Sequence, residues 1–93
     1  MLIGDLIARF GDEEAATEAL IEVGDLSLLA ALRKCADEAG LAVGTFAALA
    51  IRRYAEDAPD EEWITLMGVL GRSADPGRAF ITRALTRATQ IAN

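Results

Sequence analysis

The chain has 93 residues, 53% of them hydrophobic but only 5% aromatic, and it carries a net charge of −6 with no histidine and a single cysteine. That is one domain's worth of chain, residues 1–93, with a core drawn from Leu, Ile, Val and many Ala. Such a composition excludes an intrachain disulfide, a thiolate-built metal site and any Ser–His or Cys–His catalytic pair.

Apolar spacing predicts helix nearly throughout. Leu2, Ile3, Leu6, Ile7 and Phe10 follow the i, i+3, i+4 rule, and Gly11 ends that short helix. Asp12 is an N-cap, with Glu13 and Glu14 in a first turn that favours negative charge. Ala16, Leu20 and Val23 carry the second helix's buried stripe to Gly24. Across residues 18–23 a period-two alternation competes with the helical one; helix is favoured because the upstream cap and the Ala and Glu content agree with it. Asp25 caps a third helix with the face Leu28, Leu29, Leu32, Cys35, Ala36 and Ala39, closed by Gly40. Cys35 in that pattern packs as a small hydrophobe.

A fourth helix starts between Ala42 and Thr45 and runs to about Glu56, burying Phe46, Ala47, Ala50, Ile51 and Tyr54. Pro59 fits the first position of the fifth, and Asp60, Glu61 and Glu62 suit its positive N-terminal end. Trp63, Ile64, Met67 and Leu70 form its inner face, up to Gly71. Asp75-Pro76 is the clearest start signal in the chain. The last helix buries Phe80, Ile81, Leu85, Ala88 and Ile91 and turns its arginines to solvent. The expected fold is therefore all-α, a compact orthogonal bundle of five or six short helices.

The stretch from Asp25 to Tyr54 resembles the helix–turn–helix half of a ribbon-helix-helix regulator. Leu29, Leu32 and Ala36 fall where that family's first helix has its core, Gly40-Leu41 resembles the turn, and Ala50-Ile51-Arg52-Arg53-Tyr54 resembles the ending of the second helix. The resemblance implies a dimer and a short DNA-reading strand, which would fall at about residues 18–24. There Glu18 and Glu22 stand where basic or amide side chains are usual, and Ala42 stands where the family has a Ser or Thr cap. Carboxylates beside phosphates repel, so the dimer-forming core resembles the family while the DNA surface does not.

Charge is distributed unevenly. Residues 1–32 hold seven acids against Arg9, whereas residues 72–93 hold Arg72, Arg78, Arg83 and Arg87 against Asp75. A charge-polar molecule can associate head to tail or dock a basic partner through its first half, and the overall balance disfavours nucleic acid. Ser27 and Ser73 have no activating neighbour, and no phosphate loop or dinucleotide fingerprint occurs. The run Asp60-Glu61-Glu62 lacks the loop chemistry of a cation site and reads as helix-dipole complementation. Trp63 with Met67, near Tyr54, reads as core that also contributes to a homodimer seam; Arg78, Arg83 and Arg87 read as a solubilising surface that pairs with the acidic N-terminal half, the alternative being a basic stripe for an acidic partner or a phosphate backbone. These six are the candidate partner-binding residues.

The expectation is thus a non-enzymatic protein-interaction or regulatory accessory domain with no catalytic residue, metal or cofactor, meeting a second copy or another protein. No apolar run approaches membrane-spanning length, and residues 1–10 lack the pattern of a secretory leader, which points to the cytoplasm. The alternative is a ribbon-helix-helix-like DNA-binding regulator or antitoxin.

Overall fold

Asp12, Asp25 and Asp75 each open a helix, and that punctuation sets the architecture. The computed structural model of the chain describes residues 3–92, with side chains from residue 4 to residue 90. Six helices lie within them: α1 (Ile3–Phe10), α2 (Glu13–Val23), α3 (Leu26–Ala39), α4 (Val43–Asp57), α5 (Asp60–Arg72) and α6 (Pro76–Ala92). No strand occurs among the described residues, and none of their helices is long and apolar enough to cross a membrane. Leu2 and the side chains of Ile3 and Ile91, expected in the core, lie outside what is described.

The caps work as their chemistry requires. The Asp12 carboxylate accepts from the Ala15 amide, that of Asp25 from the Leu28 amide and that of Asp75 from the Arg78 amide, each satisfying a donor the helix cannot. Gly40 closes α3 at φ 72°, where a β-carbon is disfavoured. Its amide donates to Asp37, and the Leu41 amide reaches back to the Ala36 carbonyl at 2.9 Å, a Schellman closure that sends α4 back along α3.

α4 is the central element, packed by α1, α2, α3 and α6. Its N-terminal turn lies so close to α2 that a β-carbon on Gly44 would meet the Thr17 hydroxyl and come within 3.3 Å of the Glu13 carbonyl. Around α4, the largest fully buried side chains are Leu6, Leu32, Ile51, Leu66, Phe80, Ile81 and Leu85. Phe80 binds the layers together, with ring centroids 6.4 Å from Phe10 and 6.0 Å from Tyr54. Cys35 is buried on α3, while Ala39, expected on the same face, is exposed at the helix end.

α5 requires two corrections and α6 one. Pro59 is its cap rather than its first helical residue, and its carbonyl accepts from the amides of Glu62 and Trp63. The inner face is rotated towards Glu62: Glu62 and Leu66 are buried, Trp63 and Leu70 half-buried, and Ile64 and Met67 exposed. The cause is a single dominant neighbour, α6, which offers Arg83 to the Glu62 carboxylate. The arginines of α6 do not all face solvent: Arg83 and Arg87 turn to Glu62, while Arg78 stays exposed and donates to the Val23 carbonyl at 2.8 Å.

Candidate functional site

Helical spacing on α4 puts Tyr54 one turn beyond Ile51 and Ala50, so its ring enters the core while its hydroxyl points towards the start of α5. There Glu62 is 9% exposed, a rare position for a carboxylate unless it is paired. It is paired fully. The Tyr54 hydroxyl donates to Oε2 at 2.5 Å, Arg83 Nε donates to the same oxygen, and Arg83 Nη2 donates to Oε1 at 2.9 Å. Arg87 adds an ion pair at 3.6 Å, one helical turn further along α6.

These contacts shift the titrations in opposite senses. The Arg83 guanidinium, above all, holds the Glu62 carboxyl below its ordinary range. Burial, and then the bond to Glu62, pushes the Tyr54 phenol well above its ordinary range. Glu62 is a weak proton acceptor in this state, its lone pairs taken by donors, and Tyr54 keeps its proton. Asp60 and Glu61 stay exposed, and among the described residues no three carboxylate or thiol side chains converge on a metal position.

Beside this cluster opens a groove of about 350 Å³ between α4 and α6, bounded at one end by Ala39 and Leu41. Its floor is Phe46, Leu49, Ala50, Ala84 and Ala88, and Arg53 and Arg87 supply positive charge against one acid, Asp57. Leu49 is 39% exposed within it, so a large apolar side chain meets water there. The volume lies within the ordinary range of ligand and side-chain pockets, roughly 300–1,000 Å³.

Of the six residues the sequence singles out, Tyr54, Trp63, Arg83 and Arg87 gather around Glu62, with the Trp63 and Tyr54 rings 5.8 Å apart. Tyr54 and Arg87 also line the groove. The other two stand elsewhere: Met67 is exposed on α5, and Arg78 lies beside Arg9, Glu22 and Val23 at a second, smaller hollow. Sequence reasoning misses Glu62 and the groove floor. One signal for the floor is present, because α4 is apolar on more than one face, with Phe46 and Leu49 outside the Ala47-Ile51-Tyr54 stripe. Comparison with protein-family models, curated proteins and solved structures returns no match.

Proposed function

We propose that the chain is a small non-enzymatic protein-interaction or regulatory accessory domain that docks an apolar, acid-flanked helical segment in the α4–α6 groove. The observation that carries this reading is Leu49, partly exposed in an apolar channel with Arg53 and Arg87 alongside. An amphipathic helix binds such a channel through apolar anchors one turn apart, and its acidic flanks meet the arginines. The chemistry around Glu62 agrees, since a carboxylate saturated with donors holds helices together rather than moving protons.

The test is an NMR titration with a synthetic helical peptide of alternating Leu and Glu turns. Amide shifts confined to Leu49, Ala50, Ala84 and Ala88, and abolished by Leu49→Glu, are expected. No shift there at millimolar peptide would discard the groove as a docking surface.

The DNA-binding alternative is favoured by one observation, the α3–Gly40–α4 pair with its left-handed turn. Its reading strand is opposed by another: residues 18–23 lie in α2, with no strand there to enter a groove of DNA.

A further inference from the structure

Two large apolar side chains protrude from the acidic end of the molecule. Ile21 on α2 is 74% exposed, and Leu26, the first residue of α3, is 78% exposed. In sequence they flank the corner at Gly24, with Glu14, Glu18 and Glu22 on α2 and Asp25 just before α3. Glu22 has Arg9 and Arg78 around the same hollow, and the Asp25 carboxylate caps α3; Glu14 and Glu18 are exposed on the outer side of α2. Among the described residues the only ion pairs are those of Glu62, so Glu14 and Glu18 have no ion-pair partner among them.

The corner and the groove match in chemistry, apolar with acids against apolar with arginines. The helix that carries Ile21 also packs on the side of α4 away from the groove. Gly44 turns towards Thr17 and Glu13 of α2, whereas Leu49 and Arg53 stand about 140° and 180° further round the helix. Ile21, in turn, is on the side of α2 away from its buried stripe Ala16, Ala19, Leu20 and Val23. A chain cannot bring its own corner to its own groove, but two copies can.

We infer that the groove's occupant is the Ile21–Leu26 corner of a second copy of this chain, giving a head-to-tail contact. This rests on the groove being the docking surface; the corner presents its two apolar anchors from the last turn of α2 and the first turn of α3 rather than from one helix. Because the two surfaces differ, the contact is heterologous: every added copy leaves one corner and one groove free, and assemblies grow as open chains or close as rings. Opposite charge across the contact makes association weaken with salt.

Two variants separate the halves. Ile21→Arg with Leu26→Arg removes the corner, and Leu49→Glu with Arg53→Glu removes the groove; all four positions are exposed, so the fold is retained and circular dichroism verifies it. By sedimentation, wild-type mass should rise with concentration, and each variant alone should be monomeric. An equimolar mixture should form a 1:1 dimer and stop, since only one competent corner–groove pair remains. A wild-type protein that is monomeric at millimolar concentration, or a mixture that stays monomeric, overturns the inference. If the acidic peptide still binds the groove in that case, the docking surface stands and only its occupant is wrong; if it does not, both fall.

Discussion

Glu62 keeps its charge at the junction of α4, α5 and α6 because every neighbour is a donor. Hydrogen bonds to a charged group contribute about 1.5–3 kcal/mol each when sheltered, but Arg83 is 33% exposed, so the lower end applies. Glu62→Ala is therefore expected to destabilise by about 2 kcal/mol in urea, and Tyr54→Phe by about 1 kcal/mol. Stability should also depend on pH through both groups. The folded chain holds Glu62 ionised to lower pH than the unfolded chain, so its contribution is complete above the ordinary value of 4.5 and fades as pH falls below it. Tyr54 titrates in the opposite sense. Above the ordinary value of 10.0 the unfolded chain loses the phenolic proton while the folded chain keeps it, so stability falls as the solution becomes more alkaline. Urea midpoints across pH should show a shallower acid limb for Glu62→Gln and a shallower alkaline limb for Tyr54→Phe; unchanged limbs would deny the cluster its role.

At the scale of elements, α5 is the least enclosed helix, packed chiefly on α6 and held at its first turn by Glu62 and Trp63. Loss of that fastening should open α5 before the rest: Arg83→Ala is expected to speed amide exchange in residues 62–70 by about tenfold, with α4 changed less. Uniform acceleration would mean that α5 unfolds only with the whole. The approach of α4 to α2 gives a second prediction. Ala at position 44 gains about 1 kcal/mol in helix propensity but displaces Thr17, whose hydroxyl is bonded to the Glu13 carbonyl, and overpacking costs about 1–3 kcal/mol. Gly44→Ala should thus destabilise wild type by about 1 kcal/mol and become neutral or stabilising once Thr17 is also Ala, a cycle measurable by denaturation. The contrast between these elements explains what the sequence makes legible. Asp12, Gly24, Asp25, Gly40 and Asp75-Pro76 mark boundaries because capping is chemistry within four residues. Glu62 is opaque because a glutamate in a first turn already satisfies the helix dipole, and nothing local announces an arginine 21 residues away. The inner face of α5 is misjudged for the same reason, since its direction is set by that distant partner. The groove is half-legible, apolar by composition, but its walls come from α4, α6 and the end of α3, which nothing local in the sequence brings together.

Over the whole molecule the same charges bear on which partner class the surface admits. Residues 1–32 carry seven acids against one base, and residues 3–32 hold α1, α2 and the first half of α3. A ribbon-helix-helix dimer would present part of that stretch to DNA, yet in this chain Glu18 and Glu22 lie on a helix with exposed carboxylates. Basic groups are available elsewhere, but Arg83 is held by two hydrogen bonds to Glu62 and Arg78 is bonded to the Val23 carbonyl. Releasing Arg83 for phosphates would leave the buried Glu62 carboxylate with the Tyr54 hydroxyl as its one hydrogen-bond donor, so its contribution to polyanion binding is small. Duplex DNA is therefore expected to bind more weakly than the roughly 10⁻⁴–10⁻⁶ M usual for non-specific contacts at physiological salt. Fluorescence anisotropy at low and physiological salt measures it directly. Saturable binding to one duplex sequence, with affinity falling steeply as salt rises, would mean that α2 refolds on DNA or that another face reads it, and would return the regulator reading to first place.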